Sequence, residues 1–101
     1  LDIIGVLKMR EVKIFKGRNE NHDFWESENG EVLILRDFQE TFWYVFSNSL
    51  ICRHQDQTVG AVDFLDAVAE AEKYLDIKIL VSDDKFWCFN VNTEKFSLLK
   101  K

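Results

Sequence analysis

Phe42-Trp43-Tyr44-Val45-Phe46 places four aromatic residues in five consecutive positions. The two-residue period of a strand puts Phe42, Tyr44 and Phe46 on one face, and Trp43 and Val45 on the other. Both faces are apolar. Such a strand either lies between two layers or leaves one face as a contact surface. Toward the C-terminus, residues 41–47 and 50–55 read as a hairpin around Asn48-Ser49. Phe46 would then face Ile51, Val45 would face Cys52, Tyr44 would face Arg53 and Trp43 would face His54. Residues 55–60 are polar and end in glycine, and read as a connection.

Toward the N-terminus, Asn29-Gly30 sits between two strand-like runs. It is the signature of a two-residue type I′ turn, in which both residues must accept positive φ. That turn sets a register: Trp25 faces Ile34, Ser27 faces Val32, Phe24 faces Leu35 and Asp23 faces Arg36. Aromatic–aliphatic and opposite-charge pairs are each worth roughly 0.2–1 kcal/mol, so the register supports itself. Glu28 opposite Glu31 is its one unfavourable pair. Residues 10–16 alternate weakly and read as a strand ahead of the polar loop 17–22.

The helical signal spans 62–76. Phe64, Leu65, Val68, Ala71 and Leu75 recur at the spacing of one buried stripe, with Asp63, Asp66, Glu70 and Lys73 on the other side. Asp63 is suited to N-cap the helix, and Asp66 adds negative charge at the positive end of its dipole. Beyond it, 77–82 and 86–91 read as two strands around an Asp83-Asp84-Lys85 turn. A last strand, 96–99, follows Asn92-Thr93-Glu94-Lys95. The expected order is β-β-β-β-β-α-β-β-β: an α+β domain with an antiparallel sheet of successive hairpins and one amphipathic helix on a face.

At 101 residues, 47% apolar and 14% aromatic, the chain is expected to be one domain, 1–101, with ample core. Residues 1–8 read either as an addition ahead of a native start at Met9 or as an extra edge strand. They are too short to span a bilayer and lack a secretory pattern, so no membrane partner is expected. Cys52 and Cys88 are the only cysteines, fewer than a disulfide framework needs, which favours free thiols in the cytoplasm. The formal net charge of −5 argues against a generic duplex-DNA binder.

No catalytic or cofactor signature emerges. His22, His54, Cys52 and Cys88 lack the short paired spacings of structural zinc, so no metal is expected. Cys52 or Cys88 with His54 would make a thiolate–imidazole pair only in a motif that is absent. Ser47 and Ser49 have the same weakness. Asp83-Asp84 suits a turn, and the calcium-loop and glycine-rich phosphate patterns are missing. The chain therefore reads as a non-catalytic, cofactor-free protein-binding module of the inhibitor, immunity or accessory kind. Trp25, Tyr44 and Arg53 are its interface candidates. Glu26 and Glu28, within the acidic run Glu20, Asp23, Glu26, Glu28 and Glu31, would steer a basic partner. A homodimer would use the same aromatic face. The alternative is single-stranded nucleic acid, with bases stacked on Tyr44 beside Arg53 and helped by Lys8, Arg10, Lys13, Lys16 and Arg18.

Overall fold

The computed structural model describes residues 9–47 and 56–101. The elements are β1 (Glu11–Arg18), β2 (His22–Ser27), β3 (Val32–Asp37), β4 (Trp43–Ser47), β5 (Asp56–Ala61), α1 (Phe64–Leu75), β6 (Lys78–Asn90) and β7 (Lys95–Lys100). They form an α+β fold, with α1 packed on a seven-stranded sheet of order β5-β4-β3-β2-β1-β6-β7. All neighbours are antiparallel except β1 and β6. That parallel pair corrects the all-antiparallel expectation. Strands β1 to β5 alternate in direction, so β5 runs the same way as β1. The helix then carries the chain back across the sheet, and a strand laid beside β1 must run parallel to it.

The β2–β3 register is the one expected, with Asp23 opposite Arg36, Phe24 opposite Leu35 and Trp25 opposite Ile34. The turn is different. Gly30 has φ 77°, but Asn29 is not among the residues with positive φ, so the turn is not type I′. The Gly30 N–H instead donates to the Ser27 carbonyl at 3.0 Å. The Ser27 hydroxyl, 1% exposed with its residue, accepts the Val32 N–H at 3.0 Å. The Asn29 side chain also accepts the Glu31 N–H. The Glu28–Glu31 conflict is relieved, because Glu31 takes a two-pronged hydrogen bond from Arg10 while Glu28 lies 4.0 Å from Lys85.

Strand β4 does not pair as expected. Its partner is β5, the segment read as a connection: Trp43 lies opposite Ala61, Tyr44 opposite Gly60, Val45 opposite Val59 and Phe46 opposite Gln57. The expected strand 50–55, with Cys52, Arg53 and His54, lies outside the described residues. An edge strand needs only a few apolar positions on its core side, and Val59 and Ala61 supply them against the core.

Asp83-Asp84-Lys85 is likewise not a hairpin turn. β6 is continuous through it, and the ladder to β1 passes from Phe15–Ser82 directly to Lys16–Phe86. The three residues form a bulge in the ladder to β1, and on its other edge β6 pairs with β7 from Lys85–Lys100 onward.

Asp63 caps α1 as expected, its carboxylate accepting the Leu65 N–H at 2.8 Å. Ala67, Val68 and Ala71 are buried against Val32, Ile34, Val45 and Ile79. Leu65 departs from the expected stripe at 67% exposed. A smaller cluster lies on the opposite face. Phe24 meets Phe96 edge-on at 5.4 Å, Phe89 packs on Phe96, and the Trp87 indole N–H donates to the Glu26 carbonyl at 3.0 Å. Phe15 and Phe24 are buried on the side away from the helix, Phe24 against Phe96 and Phe15 beside Lys85.

Candidate interaction surface

The alternation along β4 governs this surface. Trp43 and Val45 face the helix side, where Trp43 packs on Phe64 with ring centroids 5.0 Å apart. Tyr44 and Phe46 share the other face with their ladder partners Leu35 and Leu33. Phe42 joins them, its ring lying over Gly60 and 4.9 Å from Tyr44. All five of these apolar residues are half-buried. Among the described residues, no helix or strand packs across the row.

The edge of the row is acidic. His22, Asp37, Glu40 and Gln57 join Leu35, Tyr44 and Phe46 around a shallow depression of ≈ 290 Å³. The Glu40 carboxylate pushes the Tyr44 hydroxyl's pKa up, through its charge first and its hydrogen bond last, with some desolvation between.

The expected interface residues do not converge. Trp25 is on the helix side, opposite Ile34 and 5.2 Å from the Phe64 ring, whereas Tyr44 is on the reverse face. Glu26 is 8% exposed and cannot act as a steering charge. The β6–β7 hairpin covers it, with Trp87 bonded to its carbonyl. Glu28 is exposed as expected, with 71% of its side chain accessible. Arg53 lies outside the described residues, so its pairing with Tyr44 does not stand: Gly60 occupies that ladder position. Leu33, Leu35 and Glu40 were missed. Leu33 and Leu35 were within reach, since the β2–β3 register and the alternation of β4 together put them on the Tyr44 face.

Asp23, also expected in the acidic run, is 7% exposed and held between two guanidiniums. Arg18 Nε donates to one carboxylate oxygen at 2.7 Å and Arg36 Nη2 to the other at 3.0 Å. Arg36 in turn lies over the Trp43 ring at 5.0 Å. Burial alone would push the Asp23 carboxyl up, but the hydrogen bonds and charges of Arg18 and Arg36 outweigh it and hold the pKa below the usual value. Folding thus favours the ionised form. The resulting stability is complete above the unfolded carboxylate's value, about 3.9, and is lost as the pH falls through the lower folded value. The urea midpoint should therefore fall on acidification below about pH 4, and Asp23→Asn should flatten that dependence while lowering the midpoint at pH 7. An unchanged acid limb in the variant would assign the effect to other carboxylates.

Among the described residues no group of three or more His, Cys, Asp or Glu side chains is placed to hold a metal ion. Cys88 is half-buried, its Sγ 3.9 Å from the Phe89 carbonyl, and among the described residues no imidazole is bonded to it. No helix among the described residues is long and apolar enough to cross a membrane. Compared with known proteins, the chain matches no family model, no curated protein and no solved structure.

Proposed function

We propose that this chain is a non-catalytic protein-binding module of the cytoplasm that docks a partner on the β3–β4 face opposite the helix. The observation carrying the reading is the continuous row of Leu33, Leu35, Phe42, Tyr44 and Phe46 across which no described element packs. Large apolar side chains side by side on an open sheet face gain free energy when a partner removes them from water, and tyrosine is among the side chains that concentrate interface energy. The partner's chemistry follows from the rim. Asp37 and Glu40 border the row in a chain of net charge −5, so the fitting occupant is a protein with an apolar patch ringed by lysine or arginine. The same carboxylates disfavour a phosphodiester backbone there, which sets the nucleic-acid reading of this face behind the protein reading.

Tyr44→Ala combined with Phe46→Ala should weaken binding to an identified partner by at least about tenfold while the domain still melts cooperatively. Glu40→Lys should slow association, and the wild-type association rate should fall as salt is raised. Light scattering and surface plasmon resonance check these outcomes. A stable homodimer lost in the double variant would make a second copy the occupant. Oligonucleotide binding abolished by Tyr44→Ala, or partner affinity unchanged in the double variant, would overturn the proposal.

A further inference from the structure

On the helix side of the sheet, Lys16 of β1 is flanked across the ladder by Trp25 of β2 and Phe86 of β6. Partners directly opposite in a sheet project from the same face, so the three side chains form one row with the cation at its centre. Lys16 is exposed, and among the described residues no carboxylate pairs with it. The Asp83-Asp84-Lys85 bulge takes β6 out of its ladder with β1 beside this row. A cleft of ≈ 390 Å³ lies there, with Lys16, Arg18, Trp25, Asp83, Phe86 and Lys101 in its walls.

Charge and spacing both select the ligand. Arg18 shares Asp23 with Arg36, so two guanidiniums and one carboxylate leave this group one positive charge, adjacent to the unpaired Lys16. Lys16 and Arg18 stand two residues apart on one strand face, roughly 6.6 Å, within reach of one anionic group for such long side chains. Trp25 and Phe86 are two strand spacings apart, roughly 9.5 Å. A planar ring between two aromatic faces needs about 7–8 Å, twice the optimal carbon–carbon separation. Phe64 backs Trp25 from the helix side and helps hold the indole in place.

We propose that this cleft binds a mononucleotide, with the base between Trp25 and Phe86 and the phosphate at Lys16 and Arg18. Asp83 on the β6 wall is an acceptor for the sugar hydroxyls. The cleft's volume lies toward the low end of small-ligand sites, roughly 300–1,000 Å³. A longer strand would meet a chain of net charge −5 beyond it. The site is on the face opposite the Tyr44 row, so it stands or falls independently of the docking surface.

The test is calorimetric titration at low salt with AMP, adenosine, inorganic phosphate and oligo(dT) as separate probes, supported by tryptophan fluorescence. AMP should bind, and adenosine and phosphate should each bind at least about tenfold more weakly, because each keeps only one of the two contacts. Lys16→Glu should weaken AMP by about tenfold or more, and Phe86→Leu should weaken AMP and adenosine alike while leaving phosphate unchanged. Tyr44→Ala should leave AMP binding intact. Lys16 is exposed, so its variant should melt as wild type does; if it does not, Lys16→Gln takes its place in the comparison. Absence of AMP binding at millimolar concentration, AMP affinity indifferent to Lys16, or tighter and steeply salt-dependent oligo(dT) binding would overturn the proposal.

Discussion

Val68→Asp is expected to abolish the folded state. Val68 is 8% exposed on the face of α1 that packs against the sheet, beside Ala67 and Ala71, which are fully buried. It belongs to the apolar cluster that also holds Val32, Ile34, Val45 and Ile79. The residue must either stay ionised in an apolar site or bind a proton against its ordinary pKa, at a cost of several kcal/mol, to which the lost valine packing is added. Domains of this size have about 5–15 kcal/mol in total, so the loss is a large share of the whole. Circular dichroism and thermal melting check it. The same change at Leu65, one turn away but 67% exposed, should cost less than about 0.5 kcal/mol. A cooperative melt for Val68→Asp close to that of Leu65→Asp would mean that the helix docks through another side.

Gly17→Ala is expected to lower stability by about 2–3 kcal/mol, and the melting temperature by roughly 10–20 °C for a domain of this length. A Cβ at Gly17 would overlap the edge of the Phe24 ring and stand 2.8 Å from Trp87 Cβ. Neither neighbour can yield easily. Phe24 is held edge-on by Phe96, and Trp87 is anchored through its indole N–H to the Glu26 carbonyl. The glycine is the position at which β1 lets these two side chains meet behind the sheet. Trimming Phe24 to leucine in the Gly17→Ala background should return part of the loss, a coupling that thermal melts of the four proteins would measure. Additive losses would mean that the strain is absorbed elsewhere.

The features legible in the sequence are those governed by neighbours close in the chain. Asp23–Arg36, Phe24–Leu35 and Trp25–Ile34 follow from one short turn, because antiparallel pairing propagates from the turn outward with side chains alternating in step. That held although the turn itself is not type I′: either turn sets the same opposite residues. Asp63 as the cap of α1 and the two-faced character of β4 are legible for the same reason, since each depends on a spacing of a few residues.

What escaped depends on which distant segment wins a partner. The polar run before Gly60 gave no local sign that it would pair with β4; Val59 and Ala61 matter only once a helix lies over them. Asp83-Asp84-Lys85 resembles a turn in isolation, yet β6 runs on past it, paired with β1 up to Ser82 and with β7 from Lys85 onward. Glu26 looks like a solvated hairpin charge until the β6–β7 hairpin, some sixty residues later in the chain, puts Trp87 against it. The same holds for both candidate sites. Composition names the aromatic and basic residues, but only the destination of α1 puts Tyr44 on the face that no described helix covers, and only the bulge in β6 sets Lys16 between Trp25 and Phe86. The chain by itself determined the strands' faces, the first hairpin's register and the helix with its cap, because those are local choices. The tertiary structure alone decided strand order, the parallel β1–β6 pair and which aromatic face the helix covers, because they are set by competition among long-range contacts whose closure entropy no local pattern encodes.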